Sequence, residues 1–103
     1  MERTKSEQMR PYELMYLMPP TADEERLKAV SERLESAITG LGGKVDKVTP
    51  PARRRLAYEV AHHRDGHYGV LEFSLPPAQS REFERTISLT EDILRHIVVR
   101  RDE

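Results

Sequence analysis

The chain has 103 residues, which suits one compact domain and is too short for two domains with separate cores. Hydrophobic residues make up 37% and charged residues 34%, a polar balance that still allows one thin core and argues against disorder throughout. Seventeen Lys and Arg against eighteen Asp and Glu give a formal charge of −1. Any polyanion partner must therefore be bound by a local patch.

The absence of cysteine excludes a disulfide framework, a thiolate nucleophile and Cys-containing metal sites. No apolar run approaches the roughly 20 residues that cross a bilayer, and residues 1–8 lack the apolar stretch of a signal peptide. These features predict a cytoplasmic protein that does not interact with membranes. We expect residues 1–9 to form a flexible N-terminal extension, residues 10–101 a single domain, and residues 102–103 a short C-terminal end.

The first predicted element is a strand from Tyr12 to Met18, and its apolar residues on both faces indicate a central position in a sheet. Pro19-Pro20 ends this strand, and Thr21 with Glu24 matches the capping box that opens a helix. A glycine-rich stretch over residues 40–43 ends the helix. Its predicted inward face consists of residues at helical spacing, namely Leu27, Val30, Leu34, Ala37, Ile38 and Leu41.

The middle of the chain predicts an antiparallel hairpin. Apolar residues alternate with polar ones from Lys44 to Val60, but they do not keep one phase, and Pro50-Pro51 cannot donate ladder hydrogen bonds. We therefore expect one long edge strand that is interrupted by a bulge. Asp65-Gly66 is a hairpin-turn signal, and the next strand is predicted from His67 to Leu75.

Pro76-Pro77 predicts the start of a second, shorter helix, with Phe83 and Ile87 facing the core. Thr90-Glu91-Asp92 predicts a turn, and the segment from Ile93 to Arg100 predicts a last strand. The order β-α-β-β-α-β is that of a ferredoxin-like α+β sandwich. We expect a four-stranded antiparallel sheet with two helices on one face and with the first and third strands in the centre.

The strongest chemical feature is Arg53-Arg54-Arg55, which lies in a segment, residues 44–64, with six basic and two acidic residues. On an extended strand Arg53 and Arg55 point one way and Arg54 the other, so a phosphate backbone along the edge would meet guanidinium groups on both sides. Alternatively, the arginines only solubilise an edge strand and block edge-to-edge aggregation. The last strand carries a second basic rim, which either extends this surface or is merely solvated, formed by Arg95, His96, Arg100 and Arg101.

Other kinds of site have less support. His62, His63 and His67 lack a carboxylate or cysteine at a familiar ligand spacing, so no metal site is predicted. No Ser-His-acid set, carboxylate pair or Gly-rich phosphate loop stands out, so we predict no enzymatic activity, no cofactor and no small-molecule substrate. The stretch from Tyr68 to Phe73 partly resembles the third strand of an RNA recognition motif, but Val70 stands where a base-stacking aromatic is expected.

Three segments carry a family resemblance. Residues 54–58 read Arg-Arg-Leu-Ala-Tyr and are followed by Val60-Ala61, residues 9–13 read Met-Arg-Pro-Tyr-Glu, and residues 97–100 close the last strand with Ile-Val-Val-Arg. With these segments in colinear order, residues 9–101 resemble the bacterial small-subunit ribosomal protein six family. The chain departs from the family's motif at two positions, because Ala52 stands in place of a glycine and Val60 in place of an isoleucine.

The resemblance implies a ferredoxin-like fold and a structural role in the platform of the small ribosomal subunit. It also implies binding to small-subunit (16S) ribosomal RNA together with small-subunit ribosomal protein eighteen. By motif position, Arg54 and Arg55 would meet RNA phosphates, with Tyr58 mainly packing. A hypothesis of another class is a ferredoxin-like regulatory or dimerisation module without RNA preference. Charge and position add further candidate RNA-binding residues, namely Arg53, Lys47, Arg10 and Arg95.

Overall fold

The computed structural model describes residues 9–101, and the predicted β-α-β-β-α-β order is confirmed. The predicted extension before Met9 and the predicted C-terminal end at residues 102–103 lie outside the described residues. The elements are β1 (Arg10–Met18), α1 (Glu24–Gly40), β2 (Lys44–Val60), β3 (His63–Leu75), a 3₁₀ turn (Pro77–Gln79), α2 (Ser80–Ser88) and β4 (Arg95–Arg100).

The four strands form one antiparallel sheet in the order β2-β3-β1-β4, so the prediction that the first and third strands are central is confirmed. The side chains of β1 alternate between the two faces of the sheet, and buried residues occur on both faces. Leu14 and Tyr16 are buried on the face that the helices cover, whereas Leu17 is buried on the opposite face. β3 and β4 pair with the two edges of β1, so β1 lies inside the sheet, and Leu17 is buried even on the face without helices.

One apolar core lies between the sheet and the helices, and aromatic rings occupy its centre. The Phe73 ring stacks on Tyr12 with centroids 5.6 Å apart and meets Phe83 edge-on at 5.0 Å. Burial raises the pKa of the Tyr16 hydroxyl above its ordinary value of 10.0. Gly69 lies against the Tyr16 ring, and a Cβ at that position would be only 2.6 Å from Tyr16 Cζ, so no larger residue fits without displacing the ring.

The cap of α1 differs from the predicted capping box. Asp23, rather than Thr21, is the N-cap residue, and its Oδ1 accepts a hydrogen bond of 2.9 Å from the Arg26 amide. The backbone turns once more after Pro19-Pro20, with the Ala22 amide bonded to the Pro19 carbonyl, before the helix begins. Asp ranks above Thr as an N-cap residue, and Asp23 lies only two residues after Thr21.

The predicted hairpin turn at Asp65-Gly66 is wrong. The turn lies at Ala61-His62, whose φ angles of 50° and 70° are those of a two-residue turn between Val60 and His63. Gly66 lies inside β3, where a Cβ would come within 2.7 Å of the Met18 carbonyl oxygen. The glycine therefore allows a close backbone approach between strands instead of forming a turn, and β3 begins four residues earlier than His67.

The predicted bulge in the long second strand is confirmed. The β2–β3 register shifts at three places, one of which spans Pro50-Pro51 between Thr49 and Ala52. The last strand is shorter than predicted, because β4 begins at Arg95. Ile93 precedes the strand and packs against the core from the connection after α2.

Arg101, the residue after β4, bridges all the strands of the sheet. Its Nε donates to the Tyr12 carbonyl of β1 at 2.9 Å, and its Nη2 donates to the Phe73 carbonyl of β3 at 3.3 Å. Nη2 also pairs with Asp46 of β2 at 2.7 Å, and Nη1 lies 3.4 Å from Glu72 of β3. The planar guanidinium fork can make these contacts at once. Arg101 therefore stabilises the fold and is not a solvated member of the basic rim.

Replacing Phe83 by alanine should lower the free energy of unfolding by about 3 to 5 kcal/mol, because a fully buried ring would leave a cavity next to Phe73. Chemical denaturation measures this loss. Leu89→Ala is the matched control, since Leu89 lies at the end of the same helix and is 64% exposed. A loss below about 1 kcal/mol for Phe83→Ala would mean that α2 does not seal the core.

Replacing Arg101 by alanine should lower the free energy of unfolding by about 2 kcal/mol, because charge-assisted hydrogen bonds to two backbone carbonyls and a carboxylate are lost. Arg101→Lys should restore only part of the loss, since an ammonium group lacks the planar fork. The exposed Arg81 of α2 provides a control of equal charge change. Equal stability of Arg101→Ala and Arg81→Ala in denaturant titrations would exclude the bridging role.

Candidate nucleic-acid interface

The β2–β3 hairpin extends beyond the other two strands. β1 ends with Met18 paired to His67, whereas β3 continues back to His63, and in the described part of the chain only β2 pairs with it there. Pro19-Pro20 stops β1 at this point because proline has no amide hydrogen for the ladder. Within the extension Arg54 pairs with Gly66 and Arg55 with Asp65. The arginine cluster therefore lies on a projecting two-stranded arm of the sheet.

A cleft of about 380 Å³ in this arm is lined by Arg53, Arg54, Arg55, Arg64 and Asp65. Opposite residues of an antiparallel pair share a face, so Arg55 lies on the face of Asp65, and Arg53 lies on that face as well. Arg54 lies on the other face, which the helices leave uncovered. The strand edge thus carries guanidinium groups on both sides, as the alternation predicted.

Two of the four arginines in the cleft are ion-paired. Arg53 contacts Asp65, with 3.0 Å from Nη2 to Oδ2, and Arg64 Nε lies 3.5 Å from Glu59 Oε2. Among the described residues no carboxylate forms an ion pair with Arg54 or Arg55. The two arginines of the resemblance motif are therefore the ones with uncompensated charge.

A groove of about 430 Å³ lies beside the cleft on the helix-free face of the sheet. β1 and β4 form its floor and far wall, and the irregular end of β2 forms the near wall. The Tyr68 hydroxyl closes part of the floor by contacting Met15 Sδ at 3.6 Å. The groove is mainly apolar with a basic border, and its lining is Met15, Leu17, Arg54, Arg55, Leu56, Ala57, Tyr58, Val60, Tyr68, Arg95, His96 and Ile97.

The prediction that Tyr58 mainly packs is wrong. Its residue is 67% exposed, and Ile97 on the opposite wall of the groove is 51% exposed. The register between β2 and β3 shifts between Arg55 and Val60, so the residues from Leu56 to Glu59 leave the regular ladder. The Tyr58 ring is therefore available to a binding partner at the groove.

The structure brings four of the six predicted binding residues together. Arg53, Arg54 and Arg55 line the cleft, and Arg95 of β4 borders the adjoining groove. Arg10 lies opposite Leu75 at the other end of β1, about 26 Å from the hairpin arm at roughly 3.3 Å per residue. Lys47 lies opposite Glu72, on the other side of the proline bulge.

Arg64 is a cleft residue that the sequence analysis did not single out. It lies two residues after the Ala61-His62 turn and faces the end of β2. With the turn predicted at Asp65-Gly66, Arg64 belongs to the incoming strand itself and not to the strand that faces the end of β2. A positive-φ turn without glycine or asparagine has no clear sequence signal, so this residue could not be placed from sequence.

Other classes of site receive no support from the described part of the chain. Within residues 9–101, no three His, Asp or Glu side chains are arranged to hold a metal ion. The buried ring of Tyr16, which is 1% exposed, belongs to the core, so the sheet lacks the base-stacking first strand of an RNA recognition motif. No helix in this part of the chain is long and apolar enough to span a membrane.

Comparison with known proteins identifies the family. The family model described as ribosomal protein S6 matches residues 11–100. Small ribosomal subunit protein bS6 of Desulforamulus reducens is 37% identical over 95 residues, which cover 92% of this chain and all of that protein. The corresponding protein of Exiguobacterium sibiricum is 39% identical over 95 residues, covering 92% of this chain and 99% of that protein.

Solved structures agree with the sequence comparison. The crystal structure of 30S ribosomal protein S6 from Thermotoga maritima superposes with a TM-score of 0.86 at 32% identity, covering 91% of this chain and 89% of that one. The P2 domain of a chemotaxis kinase from the same organism has a TM-score of 0.59 at 13% identity and shares only the fold. The chain therefore belongs to the ribosomal protein S6 family, a family of cytoplasmic, structural proteins of the small ribosomal subunit and not of enzymes.

Proposed function

We propose that this chain binds small-subunit (16S) ribosomal RNA together with small-subunit ribosomal protein eighteen, with the hairpin arm on the RNA and the helix-free groove on the protein. The observation that carries the RNA contact is the pair Arg54 and Arg55, which lie on a projecting arm without carboxylate partners among the described residues. Such arginines bind phosphate by paired N–H donors and read the shape of an RNA backbone.

The groove suits a protein partner better than a nucleic acid. Its lining contributes more apolar than polar surface, and Tyr58 and Ile97 expose large apolar groups on opposite walls. Exposed aromatic and aliphatic residues in a concave site are typical anchors of protein interfaces. Arg54 and Arg55 line both the cleft and the groove, so a protein in the groove and an RNA in the cleft would be adjacent.

The variant Arg54→Ala, Arg55→Ala should bind a fragment of the small-subunit central domain at least about tenfold more weakly, with the partner protein present. Each charge-assisted contact contributes about 1.5 kcal/mol or more. The slope of log affinity against log salt should fall in magnitude by about 1.4, at roughly 0.7 per phosphate contact. Titrations at several salt concentrations measure both quantities.

The control for this experiment is Arg81→Ala, Arg85→Ala, which removes the same charge from the exposed surface of α2. It should leave both affinity and salt slope near their original values. Equal weakening by the two double variants would mean that only net charge matters and would exclude the assigned cleft. A self-associating protein without RNA preference would instead support the regulatory or dimerisation hypothesis.

Ile97→Glu should weaken association with protein eighteen at least about tenfold, because it buries a charge in an apolar contact. Ile97 is 51% exposed, so the free protein should keep its stability. Val99→Glu is the control, since Val99 is also exposed on β4 but does not line the groove. Calorimetric titration of the partner protein gives the affinities, and unchanged binding of Ile97→Glu would place the partner elsewhere.

A further inference from the structure

Asp65 pairs with one arginine of the cleft, Arg53, and leaves its direct cross-strand neighbour Arg55 unpaired among the described residues. Its Oδ2 accepts from both Nε and Nη2 of Arg53, at 3.1 and 3.0 Å. Asp65 also lies directly opposite Arg55 in the β2–β3 register, yet its carboxylate pairs with the diagonal arginine. Cross-strand neighbours of this kind are close enough to pair, so the choice of Arg53 leaves the nearer Arg55 without a carboxylate.

Asp65 occupies one of the two pairs of N–H donors through which the Arg53 guanidinium can bind a phosphate. A carboxylate or phosphate binds arginine through two N–H groups on one edge of the guanidinium, and here Nε and Nη2 form that edge. A phosphate can reach this edge only by displacing Asp65. Once displaced from Arg53, the Asp65 carboxylate stays in the cleft as an unpaired anion. It then repels the bound phosphate, which lowers the affinity.

Asp65 also lowers the attraction of the cleft for anions in general. Four arginines line the cleft, and the carboxylates of Asp65 and Glu59 neutralise two of their positive charges. Phosphate attraction without regard to sequence or shape is the source of non-specific nucleic-acid binding. The Asp65 carboxylate weakens this non-specific attraction. It does not affect the contacts that depend on RNA shape or on the partner protein.

We infer that Asp65 is a specificity-determining residue of the hairpin arm: it keeps the Nε–Nη2 edge of Arg53 out of phosphate binding and limits the cleft's affinity for non-cognate polyanions. The inference rests on the proposed RNA contact at the same cleft. Arg54 and Arg55 then form the phosphate-binding pair, and Arg53 positions the hairpin through Asp65. This assigns Arg53 a different role from the direct RNA contact that its charge predicts.

Salt-dependence measurements with the RNA fragment and the partner protein test the inference. Asp65→Asn should make the slope of log affinity against log salt steeper by about 0.7, the value of one added phosphate contact. Arg53→Gln alone should leave the slope unchanged. In the Asp65→Asn background, Arg53→Gln should return the slope to that of the original protein, because the added contact belongs to Arg53.

Asp92→Asn is the matched control for charge. Asp92 pairs with Arg26 at 2.8 Å in the connection after α2, and it does not line the cleft. Its removal changes net charge by the same amount but should leave the slope unchanged. If Asp92→Asn steepens the slope as much as Asp65→Asn does, or if Arg53→Gln alone flattens it as Arg54→Gln does, the inference is wrong.

Retention on heparin separates this inference from the proposed function. Heparin is a polyanion unrelated to ribosomal RNA, and Asp65→Asn should elute from it at higher salt than the original protein or Asp92→Asn. If the original protein shows no preference for the ribosomal RNA fragment but the heparin order holds, the proposed RNA partner fails and the role of Asp65 stands. If Asp65→Asn and Asp92→Asn elute together, the role of Asp65 fails whatever the RNA result.

Discussion

The end of β1 at Met18 is the constraint on which the rest of the structure depends. Pro19-Pro20 removes the amide hydrogens with which β1 could continue its pairing to β3, and the chain turns into α1 instead. Beyond the pair formed by Met18 and His67, no third strand within residues 9–101 pairs with the β2–β3 hairpin. An isolated two-stranded ribbon gains little from burial, so its side chains are free to be charged. The arm with the arginine cluster is therefore a consequence of where its neighbour stops.

The two ends of the sheet differ in what their charged residues do. At the end where β4 finishes, Arg101 fastens the strands together through backbone carbonyls and through Asp46 and Glu72. At the other end, where β4 begins with Arg95, the irregular end of β2 and the exposed Ile97 line an open groove. At the Arg101 end the charged side chains pair with one another inside the fold. At the Arg95 end some of them remain available to a partner. At the second end Arg54 and Arg55 have no ion pair among the described residues and can bind a partner as they stand.

Sequence reasoning succeeded where one residue pattern had one structural outcome. Two-sided apolarity in β1, helical spacing in α1 and the proline pair within β2 each admit few alternatives, and each prediction is confirmed. It failed where the outcome depends on residues distant in the chain. Asp65-Gly66 has the composition of a turn, but Gly66 is required by the Met18 carbonyl, which lies 48 residues earlier. The contacts of Arg101 and the exposure of Tyr58 likewise depend on strand register, which the sequence pattern does not determine.

Net charge is a poor guide to this molecule because its charges are segregated. Acidic residues outnumber basic ones by five to three between residues 22 and 39, a span that includes α1, whereas residues 44–64 hold six basic and two acidic residues. Interactions between exposed charges are largely screened beyond about 8 Å at physiological ionic strength, so a phosphate at the arm responds to the arm and not to the chain's total of −1. At this short range Asp65 and Glu59 weaken the attraction of the arm for anions, because they pair with half of the cleft's arginines.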